Sequence, residues 1–106
     1  MKNPEILNIK TLSGDWFDKD IIMLHACFQL LTDCIEDEKL FTGHVDWNHD
    51  EEHKKAKDEL EFLYNWWIKR KNKDLEAEIN DLEKEQYEED NEMLVRLIKV
   101  RQYLWT

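Results

Sequence analysis

Two glycines, Gly14 and Gly43, and one proline, Pro4, are all the backbone punctuation in this 106-residue chain. A sheet protein spends such residues at every hairpin, because the favoured tight turns need positive φ that glycine supplies without steric cost. A chain this poor in them is left with helices. The 42% hydrophobic content, with 11% aromatic residues, is enough for one core, and the length leaves no room for a second domain. The expectation is an all-α fold over 1–106, a small bundle of three to four helices.

Residues 1–19 read as an irregular lead-in, with Trp16 and Phe17 available to pin it and Asp18 or Asp20 placed to cap the helix that follows. A first helix is expected over 20–38. At 100° per residue, Ile21, Met23, Leu24, Cys27, Phe28, Leu30, Leu31, Cys34 and Ile35 fill one half of it, and His25, Gln29, Thr32, Asp33, Glu36 and Asp37 the other. Residues 39–48 have a glycine and no helical period, so they form a loop, anchored by Trp47. A second helix is expected over 49–72, with Asp50, Glu51 and Glu52 at its positive end and Lys69, Arg70 and Lys71 at its negative end. Its core stripe is His53, Ala56, Leu60, Leu63, Tyr64 and Trp67, which leaves Phe62 and Trp66 as a second aromatic patch for another segment or another chain to cover.

The segment 74–105 is one helix or two. Leu75, Ile79, Leu82, Gln86, Met93, Leu97, Val100 and Leu104 are in phase, but residues 83–92 carry six acids and one large hydrophobic, Tyr87. An unbroken helix over 74–105 would be about 48 Å long, against a radius of gyration of about 13 Å for a compact domain of this length. A kink or loop near 84–90 is therefore expected.

The formal charge is −10, from 25 acidic and 15 basic residues. It argues against direct nucleic-acid binding, which draws affinity from Lys and Arg on phosphates, and leaves docking on a basic protein surface open. Cys27 and Cys34 lie one heptad apart in an apolar run, where thiols behave as small hydrophobes and make no disulfide framework. No apolar window approaches the roughly 20 residues of a membrane span, and the N-terminus lacks a cleavable leader pattern. A cytoplasmic setting without membrane contact is expected.

Motifs for chemistry are sparse. His44, Asp46, His49 and His53 gather acidic and imidazole groups, and His49, Glu52 and His53 even have the spacing of an inverted zincin. Such a protease also needs a distant third ligand and a cleft, so His53 is read as a packing residue and no metal site is assigned. Asp33, Glu36 and Asp37, with Glu88, Glu89 and Glu92, loosely resemble the paired acidic motifs of magnesium-dependent all-α nucleoside triphosphate pyrophosphohydrolases. On the helical wheel the first three oppose the apolar half, so one protomer would not enclose them. No phosphate loop or GxSxG elbow occurs, and no catalytic residue or cofactor is expected.

Arg101 falls amid Met93, Leu94, Leu97, Ile98, Leu104 and Trp105, near the centre of an apolar arc. A guanidinium there needs a carboxylate, an aromatic ring or an anionic ligand, because an unpaired buried charge is costly. The readings are an internal or interface ion pair, or a nucleotide held by Arg101 with tryptophan stacking.

Three stretches, WFDKDIIMLHACFQLLTD from Trp16, EFLYNWW from Glu61 and EMLVRLIKVRQYLWT from Glu92, resemble a family of small uncharacterised tailed-bacteriophage proteins. The resemblance implies a viral protein in the host bacterial cytoplasm and transfers no activity. The leading expectation is a small acidic, non-enzymatic phage accessory protein that binds a bacterial host or defence protein, as a homo-oligomer. Its expected partner or ligand contacts are Phe62, Trp66, Trp67, Arg101, Trp105, Glu88, Glu89 and Glu92. The alternatives are a nucleotide-signal-sequestering protein and the pyrophosphohydrolase.

Overall fold

An aspartate stands at the N-terminal cap of each of the first two helices. The computed structural model of the protein describes residues 7–12, 17–43, 45–72 and 84–104. Helix α1, Lys19–Glu36, starts from Asp18 in extended conformation, whose carbonyl accepts from the amides of Ile21 (3.1 Å) and Ile22 (3.0 Å), while its side chain makes no cap bond. Helix α2, Glu51–Arg70, has a true side-chain cap: Asp50 accepts from the His53 amide at 2.8 Å, and Glu51, Glu52, Lys69 and Arg70 complement the dipole. Between them Lys39 takes φ 56°, a left-handed turn usually given to glycine. It directs Leu40 fully into the core, and the Trp47 indole N–H donates to the Leu40 carbonyl at 3.2 Å, anchoring the loop as expected.

Helix α3, Lys84–Lys99, is followed by one 3-10 turn, Arg101–Tyr103. The stretch 84–90 is thus continuous helix, not the expected kink or loop. The acidic run keeps its core contact because Asp90, in phase with Met93 and Leu97, is itself buried and has a cationic partner on α2. Leu75, Ile79 and Leu82 lie outside the described residues.

The three helices form a small all-α bundle. Leu24, Phe28, Leu31 and Cys34 of α1 meet Leu60, Leu63 and Trp67 of α2 and Met93 and Leu97 of α3. Phe28 stacks on Trp67 with centroids 5.0 Å apart and planes 20° from parallel. Each large buried side chain here contributes about 1.5–3 kcal/mol through removal from water. Contacts of α2 with α1 at His25–Trp67 and Glu36–Tyr64, and with α3 at Arg70–Asp90 and Glu59–Arg96, run antiparallel. Hence α1 and α3 point the same way, and Tyr87 near the start of α3 donates to Asp20 near the start of α1 at 2.6 Å.

The buried arc of α1 is rotated by about 60° from the one its hydrophobic pattern predicts. His25 and Gln29, expected in water, are 0% and 2% exposed, whereas Met23 and Leu30, expected in the core, are 60% and 45% exposed. The cause is Lys10 and Thr11, which lie over the polar side of α1 and satisfy it. Thr11 Oγ1 is 2.6 Å from His25 Nδ1, the Lys10 amide donates to Gln29 Oε1 at 3.2 Å, and Gln29 Nε2 donates to Asp33 at 2.8 Å. Buried polar groups with partners cost little, so the polar side could turn inward and Met23 and Leu30 were left outside.

Candidate functional site

Arg70, Trp66 and Glu59 of α2 are paired with Asp90, Glu89 and Arg96 of α3. Arg70, in phase with Leu63 and Trp67 at the end of α2, is 1% exposed. It donates from Nε to Asp90 Oδ1 at 2.9 Å and from a terminal nitrogen to Oδ2 at 2.8 Å, the bidentate fork that a planar guanidinium and a carboxylate form. Gln86 Nε2 adds a third donor to Asp90 at 2.8 Å. The seam continues outward. Trp66 donates its indole N–H to Glu89 at 2.8 Å, and Arg96 binds Glu59 bidentately while its guanidinium lies 4.2 Å from the centre of the Phe62 ring. The Arg96 bond is the main reason the Glu59 carboxyl sits below the usual glutamate range.

This arrangement corrects several expectations. The buried arginine is Arg70; Arg101 is exposed, because the helix ends at Lys99 and the tighter 3-10 turn swings it out of the apolar arc. Trp67 is 1% exposed and belongs to the core of the chain. Trp66 and Phe62, read as a surplus patch, have partners within the chain: Trp66 also packs on Phe28 at 5.3 Å, and Phe62, 46% exposed, lies under Arg96. Glu88, Glu89 and Glu92 are exposed, Glu89 serving Trp66. Trp105 lies outside the described residues.

Nothing gathers a metal site among the described residues, where no three His, Cys, Asp or Glu side chains converge. His53 Nδ1 is 2.7 Å from Asp50, the helix cap, and His49 is exposed beside it; His44 is outside the described residues. The His53 amide and ring together hold the Asp50 carboxyl below its ordinary range. Three acids of the pyrophosphohydrolase reading have partners within the chain: Asp33 accepts from Gln29, Glu36 from Tyr64 and Glu89 from Trp66. A groove of about 670 Å³ between α2 and the end of α3 contains Lys55, Phe62, Arg96 and Lys99, but its arginine is already taken by Glu59. Burial pushes the Cys34 thiol up to about 11, with help from Glu38, and raises Cys27 as well, so neither is an activated nucleophile.

The opposite side of the molecule is open. Along α1 and α3 it exposes Met23 (60%), Leu30 (45%), Tyr87 (38%), Val95 (49%) and Ile98 (57%). Met23, Tyr87 and Leu94 share one depression of about 130 Å³ at the α1–α3 groove, so the two helices present a continuous surface. The described chain measures 46 × 39 × 18 Å, about two helix diameters in its thinnest direction, which leaves both helices at the surface. Hydrophobic pattern alone did not separate these residues from the core. The one available signal was spacing: Tyr87, Asn91, Leu94 and Ile98 form a second stripe beside Asp90, Met93 and Leu97.

Comparisons with protein-family models, with curated proteins and with solved structures return no match. No described helix is long and apolar enough to cross a membrane.

Proposed function

We propose that this chain acts by binding another protein, without catalysis, and that the outward side of α3 is the contact. The observation that supports this is the exposure of Val95 and Ile98, at 49% and 57%, beside the exposed acids Glu88 and Glu92. Only Asp90, Met93 and Leu97 of α3 are buried, so most of the helix circumference faces out. An aliphatic centre bordered by acids toward the helix start, and by the exposed Lys99 and Arg101 toward its end, matches a partner surface that is apolar in the middle and carries the opposite charges at its edge. The resemblance to small tailed-phage proteins suggests that the partner is a bacterial host or defence protein. The nucleotide-holding alternative loses its motive, since Arg101 is exposed and not set among hydrophobics.

The test is capture from a bacterial lysate by the wild-type chain and by Val95→Glu/Ile98→Glu, with Phe62→Ala alongside and circular dichroism on all three. The expected result is one partner held in stoichiometric amount by the wild type and by Phe62→Ala, and lost with the double variant. Equal capture by the double variant, or loss with Phe62→Ala, would overturn the reading.

A further inference from the structure

A different helix carries a second interaction. Lys19, Met23, Ala26, Leu30, Asp33 and Asp37 are spaced alternately by four and three residues, the pattern that keeps one stripe of a helix facing a partner helix. The stripe lies on the outside of the bundle: Met23 and Leu30 are 60% and 45% exposed, Ala26 is half-buried, and Lys19 and Asp37 are exposed. Its middle is uncharged, its start is cationic and its end is anionic.

We infer that this stripe is a two-fold, antiparallel contact with a second copy of the chain. Along two antiparallel helices, facing positions have a constant sum. Ala26 opposite Ala26 of the second copy, Met23 opposite its Leu30 and Lys19 opposite its Asp33 all satisfy one register, to within a residue. The same operator sets Ala26 on the axis and brings the Met23–Leu30 and Lys19–Asp33 pairs twice, as an isologous interface requires. A parallel arrangement would set Lys19 on Lys19 and Asp33 on Asp33, so the charges select the antiparallel one. Alanine at the centre lets the axes approach to the short end of the usual 8–10 Å. Gln29 and Lys10 both engage Asp33 at Oδ1, which leaves Oδ2 for the incoming lysine. Lys10 also stands 3.5 Å from Asp37, an exposed pairing that contributes little and yields easily.

In a chain of net charge −10, the Lys19–Asp33 pairs offset part of the repulsion between two copies, although Lys19 itself stands between the exposed Asp18 and Asp20. One helix stripe buries less than the roughly 800 Å² per partner of a standard interface, so dissociation in the micromolar range is expected.

Sedimentation velocity on the full chain, from about 1 to 200 µM to bracket that range, reads the association directly. Met23→Glu is expected to weaken it at least tenfold and Lys19→Glu at least threefold, with helicity unchanged. Because Met23→Glu could perturb the fold, a second measurement uses cysteine pairing in a Cys27→Ser background. Ala26→Cys should oxidise to a covalent dimer, since a two-fold contact places position 26 within disulfide reach of itself, whereas Lys19→Cys should not. A monomer at every concentration overturns the inference. So does a dimer unaffected by Met23→Glu, or covalent pairing as efficient at position 19 as at 26. None of these outcomes touches the α3 capture experiment, which reads a different helix.

Discussion

The two sides of α3 treat charge in opposite ways. Toward α2 it is closed by charge: Asp90 is buried against Arg70, Glu89 accepts from Trp66, and Arg96 joins Glu59 over the Phe62 ring. Away from α2, continuing onto α1, aliphatic side chains stand in water without cover. In an ordinary small bundle the seams are greasy and the outside polar. Here part of that assignment is exchanged, and the difference teaches where contact with other molecules is to be sought. A side chain with an internal partner has little left to offer, whereas an exposed aliphatic one gains from any apolar surface that covers it.

The comparison breaks first at Asp90. Asp90→Ala leaves the buried Arg70 guanidinium without this carboxylate and should cost about 3–5 kcal/mol, whereas Arg70→Met/Asp90→Leu should recover most of that loss. Urea unfolding checks both, and a loss below about 1 kcal/mol for Asp90→Ala would mean that the seam is not closed by charge. On the open side the pattern inverts. Val95→Glu/Ile98→Glu should change stability by no more than about 0.5 kcal/mol per site while abolishing capture of the partner.

The rim of the seam gives a smaller effect with a definite pH dependence. The Arg96 bond depresses the folded-state Glu59 carboxyl, so its contribution is present above the unfolded value of about 4.3 and is lost as pH falls through the lower folded one. Glu59→Gln should therefore cost about 0.5–1 kcal/mol at neutral pH, and the difference from wild type should vanish in acid. A pH series of denaturation midpoints reads this. Smallest is Lys39→Gly, which relieves a left-handed residue outside both regions and should raise stability by about 0.5 kcal/mol.

Helix existence was legible from glycine scarcity and from the 3.6-residue period, and the α2 termini from Asp50–Glu52 and Lys69–Arg70. Which arc of α1 is buried was not, because that depends on Thr11 and Lys10 arriving from the lead-in to satisfy His25 and Gln29. The buried ion pair was half legible: Arg70 is in phase with Leu63 and Trp67, and Asp90 with Met93 and Leu97, but only tertiary structure shows that the two positions meet. Arg101 misled because extending the α-helical period beyond Lys99 ignores the 3-10 turn. Phe62 and Trp66 misled because a wheel of one helix cannot show the arginine and glutamate that α3 brings to them.

Site-specific photo-crosslinking in bacterial cells tests the division between the closed and open sides most directly, with a benzophenone amino acid placed in turn at positions 23, 62 and 98. The expected pattern is a covalent dimer from position 23, an adduct with a bacterial protein from position 98, and none from position 62. Adducts from position 62 with none from 23 or 98 would contradict it, and would return the binding surface to the aromatic pair on α2.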